Sequence, residues 1–161
     1  MLLYLPGINI RLMTSTLMHH ADIIHPYTVL EHDLNGYGIM HGGRMLTLCD
    51  EVSYLAAHRH AGCPCLTRAV HQARFLHGVH MGEALQIHAK LGLTGNTSLW
   101  VLSEIRSADS STLIMDAIFV FAAVNRQHQP QSVPPLVPKT EQDRALQQTL
   151  QSMHNQLMAS K

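Results

Sequence analysis

Neither sign of charge is in surplus: lysine plus arginine and aspartate plus glutamate each number 11 in 161 residues, with no run of like sign. A general nucleic-acid binder needs a basic footprint, so nucleic acid is not an expected partner. Cysteine is scarce as well. Cys63 and Cys65 stand too close for an easy bridge and Cys49 lies in an apolar stretch, so no disulfide framework is expected and a reducing, cytoplasmic setting is. No run reaches the eighteen or so apolar residues needed to span a bilayer. The apolar start, Met1 to Pro6, has neither a preceding positive charge nor a cleavage site, so neither export nor membrane insertion is expected. Residues 1–20 read as an N-terminal extension, of which 1–12 read as an upstream translation extension or a loosely ordered arm. With 46% hydrophobic residues, the chain can hide roughly two-thirds of its unfolded surface in one domain.

The strongest local signal lies between Gly43 and Ala61. Apolar residues Met45, Leu46, Leu48, Cys49, Val52, Leu55 and Ala56 recur at steps of three and four, and Gly62 supplies a stop, which predicts a helix. Tyr54 and Ala57 widen its apolar surface beyond one face, as a helix wrapped by a sheet requires. Residues 22–32 contain β-formers, but Pro26 restricts them to an edge strand or a strand begun after the proline. After Gly62 the period changes: 66–76, 84–94, 97–106 and 112–125 read as strands, punctuated by Gly82-Glu83 and Gly95-Asn96. The last is apolar on both faces, as a central strand is. Short connections imply an antiparallel sheet. Residues 126–139 are polar and proline-rich, and Thr140 with Asp143 then opens a helix whose Leu146, Leu150, Met153 and Leu157 form one stripe.

The expected fold is therefore α+β: a single domain over 21–134 in which a curled antiparallel sheet of five to six strands covers one long helix, the hotdog arrangement. Residues 135–161 add a linker and an amphipathic C-terminal helix.

Asp50 stands out inside that apolar helical run. An ionisable carboxylate occupies a place where a structural helix prefers a hydrophobe, downstream of a glycine pair suited to receiving an anion. Taken alone, an aspartate in a helix is usually a solvated face residue, and His41-Gly42-Gly43 an ordinary turn. The sequence around them is more specific. Asp33-x-Asn35-x-x-Gly38-x-x-His41-Gly42-Gly43, followed by Asp50-Glu51, resembles the signature of hotdog-fold acyl-CoA thioesterases. Phe75-Leu-x-x-Val-x-x-Gly82-Glu83, Gly95-x-Thr97-Ser98 and Phe121-Ala-Ala-Val124 are similar to further landmarks of that family, and the likeness runs from about residue 22 to about residue 134. Departures occur too: Gly78 stands where the family usually has proline, Asn125 where it often has aspartate, and Arg44 and Cys49 differ from the usual residues.

Thioester hydrolysis needs an activated water or a nucleophile on the carbonyl carbon and donors for the developing oxyanion. Asp50 is the candidate base or nucleophile, made more basic by poor solvation beside Cys49 and Leu46. The Gly42 N–H is the candidate oxyanion donor, His41 orients the turn, Asn35 holds the attacking water or the carbonyl, and Gly43, Thr97 and Ser98 are candidate substrate contacts. Glu51 points about 100° away from Asp50 and reads as an exposed or paired charge. Arg68, Arg74 and Arg106 are open candidates for the coenzyme A phosphates.

Gly42 and Asp50 are eight residues apart, which in one helix is about 12 Å along the axis. Both must come within about 3 Å of one carbonyl, so the donor of one subunit has to face the Asp50 of another. The expected assembly is a homodimer, or a tetramer or hexamer built from it, acting on acyl-CoA with water and with neither metal nor cofactor. The His58-Arg-His60 and Cys63-Pro-Cys65 steps suggest a metal, but the cysteine spacing is not that of a zinc knuckle and the histidines sit on different helix faces. Two alternatives stay open: a hotdog hydratase or dehydratase on acyl thioesters, and a non-catalytic acyl-CoA binding protein.

Overall fold

A computed structural model describes residues 22–160, so the expectation for residues 1–20 falls outside the described residues. Strand β1 (Asp22–Thr28) leads through a 3-10 turn at Glu31–Asp33 and a loop into helix α1 (Gly42–Ala61). Strands β2 (Cys65–Phe75), β3 (Ala84–Thr94), β4 (Ser98–Ser107) and β5 (Leu113–Ala123) follow, and helix α2 (Glu141–Ala159) is the last described element. The five strands form one sheet in the order β1-β3-β4-β5-β2, every neighbouring pair antiparallel.

Helix α1 lies on one face of this sheet. Met45, Leu48, Cys49, Val52, Ala56 and Ala57 of the helix join Leu85, Ile87, Ala89 and Leu91 of β3, Leu99 and Val101 of β4, and Phe119 and Phe121 of β5 in the main core. The helix is not enclosed all round, since Thr47, His58 and Arg59 are exposed. His41 caps its start, with Nδ1 accepting the Gly43 N–H at 2.9 Å, and Gly62, at φ +68, closes it in the left-handed region.

The stripe on α2 docks on the opposite face of the same sheet. Leu146, Leu150, Met153 and Leu157 meet Leu93, Trp100, Ile118 and Val120 in a second cluster. A register shift between Leu91 and Leu93 lets β3 serve both cores, turning Leu91 toward α1 and Leu93 toward α2. Gly92 sits at the shift because α2 comes too close for a side chain: a Cβ there would lie 2.6 Å from Leu150 and 2.7 Å from Leu146. The helix start matches expectation, Thr140 and Asp143 forming a reciprocal capping box.

Of the two alternatives that Pro26 left for residues 22–32, the edge strand is the one that forms: β1 lies at the sheet edge, carries Pro26, ends at Thr28 and hands over to the turn that presents Asp33. The strands do not pair simply in chain order, because β2 lies beyond β5 at the far edge and residues 76–83 carry the chain back to β3. Eight extended residues reach about 26 Å, comfortably more than the three strand spacings, about 14 Å, that separate β2 from β3. That crossover also braces the chain before α1, since the Met40 N–H donates to the Val79 carbonyl at 2.8 Å and the Gly82 N–H to the Val29 carbonyl at 2.9 Å.

Candidate active site

The loop between the 3-10 turn and α1 is a short hairpin folded around Asn35. Leu34 bridges Met40, the Asn35 N–H donates to the Ile39 carbonyl at 2.8 Å, and Gly38 turns the chain at φ +75. The Asn35 side-chain oxygen accepts N–H groups from Tyr37 at 2.9 Å and Ile39 at 3.4 Å. Two donors facing that atom identify it as the oxygen, so the amide nitrogen is the end left for a ligand. Asn35 can therefore donate through Nδ2, its oxygen being engaged in holding its own loop.

The two glycines at the helix start are not equivalent. The Gly42 N–H begins the helix with no acceptor among the described residues, whereas the Gly43 N–H is taken by the His41 ring. The N–H of Gly43, a candidate substrate contact in the sequence, is thus engaged within its own turn, and a Cβ there would press on the His41 ring at 3.1 Å. At Gly42 a Cβ would meet the Phe75 ring at 3.1 Å, so that ring, half-exposed on the end of β2, lies directly beside the open N–H.

Asp50 sits two turns further along α1, partly buried. Burial raises its carboxyl above the usual carboxylate range, and a hydrogen bond from Thr67 opposes the shift. The Thr67 hydroxyl on β2 donates to Asp50 Oδ1 at 2.8 Å, leaving Oδ2 for another proton or a water. Thr67 escaped the sequence reading. Its signal was nonetheless present: β2 folds straight back along α1, and strand alternation places Cys65 and Thr67 on the side facing the helix. Glu51 is also raised by burial, with Arg44 lowering it, and it makes no hydrogen bond among the described residues.

Within one protomer the structure therefore does not bring all the candidates together. Asn35, His41 and Gly42 cluster at the N-terminal end of α1, while Asp50 and Thr67 lie further along it against β2. Thr97 ends the β3–β4 turn and Ser98 opens β4, where the Thr97 carbonyl accepts the Ala123 N–H and the Ser98 carbonyl the Gly95 N–H; no described contact links them to Asp50. Of the three candidate arginines, Arg74 is committed to Asp116 and Arg106 to Glu104, while Arg68, exposed beside Thr67, has no carboxylate partner among the described residues. Among the described residues no three His, Cys, Asp or Glu side chains form a metal-holding group. His58 instead stacks on Tyr54 and contacts the Cys63 carbonyl, and His60 contacts the Pro134 carbonyl. The three cysteines are buried and unpaired.

The departure at Asn125 has a physical account, and that at Gly78 has none in the structure. Asn125 Oδ1 accepts from the Gln127 and Gln129 N–H groups at 2.9 and 3.0 Å, an acceptor task an amide performs as well as a carboxylate. At Gly78 a Cβ would meet Ile39 only at an ordinary 3.6 Å, so space does not require glycine there.

Residues 37–114 match the model of the thioesterase superfamily. Among curated proteins, the chain is 30% identical over 125 residues to protein VdlD of Helicobacter pylori, covering 75% of this chain and 71% of that one. It is 29% identical over 120 residues to acyl-coenzyme A thioesterase 11 of Mus musculus, covering 72% of this chain but spanning only about a fifth (20%) of that protein's length. Among solved structures, an apo-hexameric acyl-CoA thioesterase superposes with a TM-score of 0.78 at 26% identity, over 88% of this chain and 94% of that one. No helix among the described residues is long and apolar enough to cross a membrane.

Proposed function

Because the chain belongs to the thioesterase superfamily, with the hotdog fold of the acyl-CoA hydrolases, we propose that it hydrolyses an acyl-CoA thioester to the free acid and coenzyme A at a site shared by two subunits. The observation that carries this reading is the Asp50 carboxyl, raised by burial and held by Thr67, in a helix whose first N–H, at Gly42, is left open. A water held by Oδ2 of Asp50 attacks the thioester carbonyl carbon and gives its proton to the carboxylate. The developing oxyanion accepts hydrogen bonds from Gly42 N–H and Asn35 Nδ2 of the other subunit, at the positive pole of α1. When the C–S bond breaks, the proton on Asp50 passes to the coenzyme A sulfur. Neither metal nor cofactor enters this sequence. His41 maintains the turn, and Arg68 is the arginine the ion pairs leave available to a coenzyme A phosphate.

The pairing of subunits is supported by the β2 edge. Its outer backbone row has no strand partner among the described residues, and Leu66, Val70, Phe75 and the following Leu76 are exposed along it. A bare apolar edge invites pairing with a second copy. Such pairing would carry the Gly42 turn, which lies beside Phe75, toward the partner's Thr67 and Asp50. Larger assemblies, tetramer or hexamer, would be built from that dimer, and the three unpaired thiols suit the cytoplasm.

A free-thiol assay over a panel of acyl-CoA esters, run beside Asp50→Asn, tests the proposal. Wild type is expected to release thiol and the variant to keep less than about a tenth of the rate. Retention of more than that removes Asp50 from the role of base, and binding without thiol release by wild type turns the protein into a non-catalytic acyl-CoA binder.

A further inference from the structure

Asp33 and Arg44 form an ion pair that the proposed reaction does not use. The Asp33 side chain has no exposure to solvent, and its carboxylate is surrounded by donors: Arg44 Nε at 2.9 Å on Oδ1, and the Tyr27 hydroxyl at 2.7 Å and the Leu30 N–H at 2.8 Å on Oδ2. Arg44 Nη2 also donates to the Tyr27 hydroxyl at 3.3 Å, and the guanidinium lies 5.6 Å from the centre of the Tyr27 ring. The exposed His32 ring stands 3.5 Å from Oδ1, and Glu51, two turns along α1 on the same face as Arg44, also feels the Arg44 charge. With the carboxylate enclosed and the guanidinium only partly exposed, such a pair stabilises little against an apolar alternative, and removing the cation alone is costly because it strands a buried charge. Its position suggests what it does.

The cluster ties three pieces of chain together at the oxyanion turn: Tyr27 on β1, Asp33 at the foot of the hairpin, and Arg44 in the first turn of α1. The Asp33 carbonyl also accepts the His41 N–H at 2.8 Å, closing the hairpin that carries Asn35 and delivers the chain to Gly42. Charge matters in the same place. A carboxylate left without a cation near the start of α1 would offset the positive helix pole and oppose an oxyanion forming at Gly42. The guanidinium cancels it.

We propose that Arg44 is a positioning residue of the thioesterase site: acting through Asp33, it holds the Asn35 hairpin and the Gly42 turn in register and neutralises the carboxylate buried beside them. The inference rests on the reaction proposed above. A lysine would keep the charge but cannot span Asp33 and Tyr27 with one planar group.

The test uses the full-length protein with Arg44→Met, Arg44→Lys, Tyr27→Phe and the double variant Asp33→Asn with Arg44→Met. Two quantities are read: kcat and KM on an acyl-CoA that wild type turns over, and amide hydrogen exchange across residues 34–43. Arg44→Met is expected to lower kcat about tenfold or more with KM changed less than about threefold, and to speed exchange in 34–43 while the β3 and β4 amides hold. Arg44→Lys should recover part of kcat. The double variant should exceed Arg44→Met, because no stranded charge remains. A kcat within about twofold of wild type, or faster exchange throughout the sheet in place of the local change, overturns the proposal. If Arg44→Met does not fold, Tyr27→Phe decides, since it removes one hydroxyl: a loss of kcat of about twofold or more with faster local exchange supports the inference, and no change in either overturns it. A wild type that releases no thiol from any ester overturns the reaction itself, and the exchange data then decide on their own whether Arg44 holds the loop.

Discussion

Removing the Thr67 hydroxyl, as Thr67→Val, should move the acid limb of the activity profile to higher pH. The hydroxyl donates to Asp50 Oδ1 at 2.8 Å and so favours the ionised carboxylate, whereas burial disfavours it. A hydrogen bond to a charged acceptor contributes about 1.5–3 kcal/mol when enclosed. Thr67 is exposed and Asp50 only partly buried, so solvent screening leaves about 1 kcal/mol, or about a fivefold change in proton affinity. The sign follows from the role of the group. A general base works deprotonated, so a carboxyl that holds its proton more tightly loses activity first at low pH and recovers as pH rises. Steady-state kcat/KM measured from pH 4 upward, with the protein's fold checked at each end, is the assay. An acid limb that stays put, or that moves to lower pH, would falsify the assignment of Asp50 as the titrating base held by Thr67.

Leu150→Ala should lower stability by about 2–4 kcal/mol, since Leu150 is 1% exposed between α2 and the sheet, yet leave kcat near the wild-type value below the melting transition. Thermal melting with parallel thiol assays checks both halves; a large loss of kcat in folded protein would mean that α2 reaches the site. Acid should loosen α2 for a separate reason. Lys90 at 2.7 Å, with the backbone and hydroxyl of the helix cap, holds the Asp143 carboxyl well below the usual carboxylate range. Its contribution is present above the unfolded value near pH 3.9 and is lost as pH falls through the lower folded value. Asp143→Ala should accordingly cost about 1 kcal/mol at neutral pH and flatten the fall in stability on acidification, read by denaturant titration at a series of pH values.

Helix α1 and its carboxylate were legible in the sequence because they rest on local periodicity and on one residue out of place in it. The α2 stripe and its capping box were legible for the same reason. The position of β2 was not, since its hydrophobic alternation is the same whether it pairs with β3 or crosses to the far side of β5; only packing around α1 decides. Thr67 was hidden by the same uncertainty, its partner lying on another element. Gly43 shows a finer limit. Whether its N–H faces a ligand or a neighbour depends on the His41 rotamer, and the ring turns back to cap the helix.

The claim that one subunit supplies Asn35 and the Gly42 N–H while another supplies Asp50 is tested most directly by complementation. Asn35→Ala and Asp50→Asn proteins, each inactive alone, are unfolded together in equal amounts, refolded, and assayed for thiol release. If the site is shared, each mixed dimer holds one site with both groups intact, so random pairing should restore about a quarter of wild-type activity. Activity no greater than that of the two variants refolded separately, in a sample shown to contain mixed dimers, would contradict the account.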